Sequence, residues 1–384
     1  MLTHDEFKNK DITFKYLAEI RDLYLSKLFF EEEYGTVVAP LIESFHPEKG
    51  IPLDLENPSD YYSSTTAIAL LALHRINMIS PPVLKKLHDS LLYLRDHTDN
   101  SISKKKSPED VCAWDISESA CVWSTVQSIR ALLKTGYNGD KIEEVKAALL
   151  WVVDQQRPGG GWGFDITCKS RVFFTSLAIN ALKMGLVLDL TFQEKNRINK
   201  AISDGIQFII TESRIKGGIA YWTNAESSID ADATSTLYAL WALHEHDAIQ
   251  HSEVIAKGLK FIKKDLVGKD IWEMKEIVSE TDTKYKSHKI IVSFTPAFPI
   301  ILLKLGVSPF DEMCIKPMRW LKANRTELGW NLPGYSPSQA LSFSSALALW
   351  TIDDWHKYVI REFLKTDNKA PFILIKLRKR ITIM

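Results

Sequence analysis

The 384-residue chain carries 48 basic and 48 acidic residues, so its formal net charge of zero gives no reason to expect a nucleic-acid partner. At 45% hydrophobic and 25% charged it has a globular composition with enough apolar mass for a large core. Its four cysteines, Cys112, Cys121, Cys168 and Cys314, form no Cys-x-x-Cys pair and are expected as reduced thiols in a cytoplasmic protein. The first ten residues are charged and lack the apolar region of a signal sequence. No run approaches the roughly 18 apolar residues of a membrane span.

An internal repeat organises the rest. The pattern Thr/Ser-x-x-small/apolar-aliphatic-x-x-aliphatic starts at Thr66, Thr125, Thr175, Thr236, Thr295 and Ser345, at intervals of 59, 50, 61, 59 and 50 residues. Each segment, Thr66-Ala-Ile-Ala-Leu-Leu-Ala-Leu73 for example, has almost no charge and reads as a helix buried all round. In the fifth, Pro296 and Pro299 predict a kink or a restart. Between the repeats lie segments apolar on one face and charged on the other, over residues 12–30, 83–96, 141–156, 194–212, 252–266 and 311–324. In the third of these, Ala148, Leu149 and Val152 follow Val145 at the spacing of one helix face. Gly136-Tyr-Asn-Gly139, Pro158-Gly-Gly-Gly161, Gly217-Gly218 and Pro333-Gly334 read as loops, and strand-type alternation is nearly absent.

Six amphipathic helices alternating with six buried ones fit an all-α double α/α barrel, with the buried set as inner ring and the amphipathic set as outer ring. An open solenoid is the alternative, but its repeats are usually shorter, about 34–47 residues. The barrel is expected to take residues 1–370 as a single domain. Residues 371–384 form a tail in which apolar residues alternate with Lys376, Arg378, Lys379 and Arg380. That tail reads as a docked or frayed end, or as a peripheral contact with an anionic membrane. In such a barrel the inner-helix N-termini gather at one end. The residues four before each repeat Thr/Ser are Tyr62, Cys121, Arg171, Asp232, Ile291 and Leu341, and they should ring the cavity mouth. Only the fourth repeat brings a carboxylate pair there, Asp230 and Asp232.

The joint Gln156-Arg-Pro-Gly-Gly160-Gly-Trp162 matches Gln-x-x-x-Gly-x-Trp after an aromatic-aliphatic helix. It resembles the QW repeat of squalene–hopene cyclases and related class II terpene cyclases. Echoes ending in Trp222, Trp272 and Trp330 keep the Trp and lose the Gln. The resemblance covers residues 60–352. Members of that family carry Asp-x-Asp-Asp-Thr at the start of an inner helix, and here the chain reads Asp230-Ala-Asp232-Ala-Thr234. The resemblance implies that Asp232 is the proton donor, with Asp230 and Thr234 tuning it. Ala233 stands where the family has its last Asp.

Such chemistry is physically sensible. Protonating an alkene needs an acid kept neutral in a dry site, and burial beside a second carboxylate raises a carboxyl pKa. Aromatic faces then stabilise the carbocation. Candidates for the substrate wall are Trp162, Trp222, Tyr238, Phe173, Trp123 and Tyr62, with Lys169 and Arg171 as a grip for a diphosphate. The expected activity is an isomerase- or lyase-type cyclisation of an isoprenoid, a prenyl diphosphate or a prenylated small molecule. No cofactor is expected, apart from Mg²⁺ if the substrate is a diphosphate.

Blander readings stand beside these. An Asp at a helix start can simply cap it, and Lys169 and Arg171 can serve in surface ion pairs. His244, His246 and His251 fix no ligand triad. The zinc-binding Asp-x-Cys spacing of prenyltransferase β subunits is missing from the inner segments. Sugar-degrading α/α barrels also use paired carboxylates but lack the QW-type joint. A non-catalytic barrel that binds a prenyl-like lipid or a partner protein is the alternative function.

Overall fold

The computed structural model describes residues 36–58, 60–96, 113–116, 119–223, 231–267, 277–279, 288–290, 297–330 and 341–365. The expected first outer helix (12–30), Asp230 and the basic tail lie outside the described residues. The inner set consists of α2 (Ser63–Arg75), α4 (Val122–Lys134), α6 (Val172–Gly185), α8 (Ala233–Asp247), α10 (Phe298–Lys304) and α12 (Ser342–Lys365). The outer set consists of α1, helical over residues 36–43, α3 (Pro81–Asp96), α5 (Ile142–Asp154), α7 (Phe192–Thr211), α9 (Ser252–Asp265) and α11 (Glu312–Ala323).

The inner helices close a ring. Each packs on the next, from α2 to α4 and onward to α12, and α12 packs back on α2. The architecture is the double α/α barrel expected from the repeat. The two patterns in the sequence separate the rings physically. Along α2 every residue from Ser63 to Leu73 is buried, whereas α7 buries only Ile198, Ala201, Ile202, Gly205, Ile206 and Ile209. That stripe repeats at three and four residues, so α7 shows one apolar face to the inner ring and the rest to solvent. A capping box between Thr191 and Glu194 fixes its start.

The fifth inner helix departs from its siblings in the expected way. Pro299 sits in the first turn of α10, where its missing N–H costs nothing, so the helix restarts there and runs only seven residues. Its N-cap is Ala297, not Ile291.

Strand structure was underestimated from sequence. β3 (Arg214–Lys216), β4 (Ile219–Thr223) and β5 (Ala231–Asp232) form an antiparallel sheet leading into α8. Gly217 and Gly218, with φ of +58° and +75°, make the two-residue turn between β3 and β4. Shorter antiparallel pairs join β1 (Asp115–Ile116) to β2 (Ser119–Ala120) and β6 (Ile277–Ser279) to β7 (His288–Ile290).

Candidate functional site

One joint recurs around the ring and sets the level of every inner helix it precedes. In four repeats a tryptophan donates its backbone N–H to the Thr/Ser of the following inner helix: Trp114 to Thr125 Oγ1 (3.0 Å), Trp162 to Thr175 (2.9 Å), Trp222 to Thr236 (3.0 Å) and Trp330 to Ser345 (2.9 Å). The same tryptophans donate their indole N–H to carbonyls of the preceding outer helix, at Leu91, Val152, Ile209 and Leu321. In the first repeat Ile51 N–H plays the backbone part, to Thr66 at 2.8 Å. The repeat Thr/Ser is therefore an acceptor that ties each inner helix to its joint.

At the Gln156 joint the side-chain amide donates to the carbonyls of Gly160 (2.7 Å) and of Ala201 on α7 (2.8 Å). Trp162 packs over Gly205, where an added Cβ would meet its ring at 2.8 Å. Gln156 thereby couples neighbouring repeats. The glycine under the tryptophan belongs to α7. Gly160 takes φ +88° against the backbone of Asp204.

These joints correct part of the expected wall. Trp162 and Trp222 are fully buried pins between outer and inner helices, and neither lines the central cavity. Their indole N–H groups are satisfied by outer-helix carbonyls, which turns both rings away from the barrel axis.

The inner-helix N-termini gather at one end. Leu341 pairs with Asp54 ahead of α2, and Cys121 pairs with Asp165 ahead of α6. Tyr62, Cys121, Arg171 and Asp232 are the N-caps of α2, α4, α6 and α8, all in extended backbone. Of these four, only Asp232 caps with its side chain, accepting from Ser235 N–H at 2.6 Å. Pairing of Asp232 with Trp222 in the β4–β5 ladder fixes its backbone, and the residue is 3% exposed. Thr234 stands half-buried in the first turn of α8. One repeat earlier, Lys169 is half-buried and Arg171 buried at the same rim, and Tyr62 is half-buried on α2.

Below this rim the interior is aromatic. Phe173 stacks on Trp123 (ring centroids 5.5 Å) and meets Tyr238 edge-on (4.6 Å), and Trp123 also approaches Phe343 (6.4 Å). The structure thus brings three expected wall residues together, Trp123, Phe173 and Tyr238. Trp123 and Tyr238 border the central cavity directly, and Asp232 does not.

The cavity wall follows the repeat register. Two residues before the repeat Thr/Ser come Trp123 and Phe343; two after come Ile68, Gln127, Tyr238 and Leu347; five after come Leu71, Arg130, Trp241, Ile300 and Trp350. These offsets are one stripe of a helix. The space they leave open to water-sized molecules is about 40 Å³, room for roughly three waters.

The far end of the cavity holds two residues that the sequence reading passed over. Arg130 and Lys304 both lie over the Trp241 ring, at 5.3 and 4.8 Å from its centroid. Burial pushes the Arg130 guanidinium down to about 10 and the Lys304 ammonium down to about 8, the latter helped by Arg130 itself. The signal was present in the sequence: Arg130 is a full charge inside a repeat segment otherwise free of charge.

Among the described residues no group of three or more His, Cys, Asp or Glu converges as a metal site. Cys121, Cys168 and Cys314 are buried free thiols. Among the described residues no helix is long and apolar enough to cross a membrane.

An inner and outer helical ring with a stapled joint in five of its six repeats defines the α/α-barrel class. Solved structures of that class superpose on the chain. Type II terpene cyclase MstE from Scytonema, in complex with its product merosterolic acid A, matches with a TM-score of 0.55 at 13% identity, over 85% of this chain and 97% of that one. The same enzyme with its substrate geranylgeranyl dihydroxybenzoate matches at 0.52 and 12%, over 85% and 97%. An alpha-amylase from Clostridium perfringens matches at 0.52 and 14%, over 83% and 96%. At these identities the likeness shows the fold. No protein-family model matches the sequence, and no curated protein matches it.

Proposed function

We propose that the protein is a class II-type terpene cyclase acting on a prenyl diphosphate or a prenylated small molecule. The observation that carries this reading is Asp232, a buried carboxyl at the rim of an inner ring whose interior is lined with aromatic side chains. Its sibling positions hold Tyr62, Cys121 and Arg171, and those helices start without a side-chain cap, so the fold does not require an aspartate there. The resemblance to Asp-x-Asp-Asp-Thr at this position and the shared fold support the same reading.

The chemistry would run as follows. Asp232, acting as the protonated acid, gives its proton to an alkene carbon of the prenyl chain and becomes a carboxylate. The tertiary cation left on the chain is attacked by the next alkene, closing a ring. A final deprotonation of the chain restores the proton balance. Faces of Trp123, Phe173, Tyr238 and Phe343 stabilise the travelling charge, and Asp230 and Thr234 tune the acid. Lys169 and Arg171 would act at the rim toward an anionic group. No cofactor enters these steps, and Mg²⁺ would enter only with a diphosphate substrate.

The test is incubation of the protein with farnesyl and geranylgeranyl diphosphates and prenylated benzoic acids, followed by mass spectrometry for cyclic products. Product from wild type but not from Asp232→Asn supports the reading. Equal turnover by Asp232→Asn removes Asp232 from its role.

A second reading has its own observation. The Asp232 carboxylate already caps α8 at 2.6 Å, and the cavity is narrow. Both suit a barrel that binds a prenyl-like lipid or a partner without chemistry. Tight binding of the same lipids with no cyclic product would favour it.

A further inference from the structure

The end of the central cavity away from Asp232 is built differently from its rim. Arg130, on α4, is 9% exposed, and among the described residues its side chain makes one hydrogen bond, from Nη1 to Gln127 Oε1 at 2.6 Å. Its Nε is buried with no acceptor. Lys304, on α10, comes to the same tryptophan from another helix. Among the described residues no carboxylate reaches either cation at ion-pair distance. Glu245 and Asp354 act on Lys304 from farther away, against Arg130 and Lys134. Asp354 is already engaged by Arg75 at 2.6 Å and by the Trp350 indole at 2.9 Å.

Two neighbouring cations, Arg130 buried and Lys304 half-buried, thus share this wall, and no carboxylate among the described residues pairs with either. Burial of unneutralised charge is costly, and both side chains border the cavity. We propose that Arg130 and Lys304 form an oxyanion site, with Trp241 as its floor, that binds the diphosphate or carboxylate headgroup of the prenyl ligand.

This proposal rests on the cyclase reading for its ligand and deepens it in three ways. It gives the substrate class an obligatory anion. It moves the anion grip from the rim cations Lys169 and Arg171 to a point nine residues along α8 from Asp232, about 14 Å at ~1.5 Å per residue, so acid and anion sit at opposite ends of a folded chain. It also removes an electrostatic obstacle: a carbocation forming in the cavity would be repelled by two bare cations, and a bound oxyanion between them cancels that field.

The experiment compares geranylgeranyl diphosphate, geranylgeranoic acid, geranylgeraniol and inorganic pyrophosphate by calorimetry, with quenching of Trp241 fluorescence assigned through Trp241→Phe. The diphosphate or the acid should bind at least tenfold tighter than the alcohol. Arg130→Gln and Lys304→Met should each erase that advantage while leaving alcohol affinity within about twofold. Binding of pyrophosphate alone would identify the site as one for a free phosphate; preference for the lipid would identify it as a headgroup site. Equal affinity for alcohol and anions, or anion affinity unchanged in both variants, overturns the proposal.

A measurement on wild type guards against variants that fail to fold. Diphosphate should protect Lys304 from amine acetylation mapped by mass spectrometry, and an unprotected Lys304 overturns the proposal. The two readings fail separately. Cyclic product undiminished in Arg130→Gln and Lys304→Met sinks the oxyanion site and leaves the cyclase. Anion binding that depends on both residues, without product from any substrate, sinks the cyclase and leaves the site.

Discussion

Six of the eleven tryptophans fall into two sets that composition alone cannot separate. Trp114, Trp162, Trp222 and Trp330 stand in the joints and give their indole N–H to outer-helix carbonyls. Trp241 and Trp350 stand on inner helices and give theirs to a carboxylate four residues on, Glu245 at 3.2 Å and Asp354 at 2.9 Å. The first set welds one ring to the other; the second borders the cavity and faces its charges. The destination of the indole proton, more than burial, tells a structural aromatic from one available to a ligand.

The sharpest way to break this comparison is to remove one member of each set. Trp162→Ala deletes a fully buried ring, orphans the Val152 carbonyl and leaves a void over Gly205. It should cost about 3–5 kcal/mol in denaturant unfolding. Trp241→Phe keeps most of the ring and releases only Glu245, which is exposed and can turn to water. It should cost less than about 1.5 kcal/mol. Equal losses would mean that the cavity-bordering ring is as structural as the joint.

The next effect has the opposite sign. The Lys304 ammonium is held near 8 by burial, against an ordinary value of 10.5. Below pH 8 the folded chain carries a buried charge, and this opposes folding. Between 8 and 10.5 the unfolded chain binds a proton that the folded chain has released, so this residue's penalty shrinks as pH rises. Lys304→Met should therefore stabilise the protein at pH 7, by up to roughly 3 kcal/mol at ~1.36 kcal/mol per pH unit. The gain should fade by about pH 10.5. A thermal-melting series of variant and wild type over pH checks it, and a gain over wild type no larger at pH 7 than at pH 10.5 contradicts it. A stability gain together with loss of anion binding would identify a residue kept at the expense of stability.

Much of the fold was legible because helical periodicity is a strong local signal. The change from buried-all-round segments to one-faced segments, repeated at similar intervals, is enough to assign rings. The N-cap positions of α2, α4, α6 and α8 followed from the same register. The wall was less legible, since the aromatic joints and the aromatic interior share residue types. The stripe two before, two after and five after the repeat Thr/Ser was also in the sequence, and it would have pointed to Arg130 and Trp241. The Gly217-Gly218 turn is a strong hairpin signal, and beside it Ile219–Thr223 alternates in burial. That strand was overlooked because helices dominate the rest. Lys304 was the least accessible, because the prolines of the fifth repeat shift the start of α10.

A smaller effect tests the joint from its acceptor side. Thr236→Val preserves shape but leaves the Trp222 backbone N–H without its 3.0 Å acceptor in a fully buried position. The loss should be about 1–3 kcal/mol. Thr175→Val should cost a similar amount at Trp162. Because Trp222 also pairs with Asp232 across β4 and β5, only the first of the two should disturb the candidate acid.

The smallest expected change in stability falls at Asp232 itself, and its smallness is what makes it informative. Capping requires a side-chain oxygen that can accept the Ser235 N–H, and asparagine supplies one as well as aspartate does. Asp232→Asn should stay within about 0.5 kcal/mol of wild type, whereas Asp232→Ala should lose about 1 kcal/mol. Acid chemistry requires a transferable carboxyl proton, which asparagine lacks. The pair of variants therefore separates the two roles of one residue. If Asn keeps both stability and turnover, Asp232 is a cap. If it keeps stability and loses product, the carboxyl that caps α8 is also the proton donor.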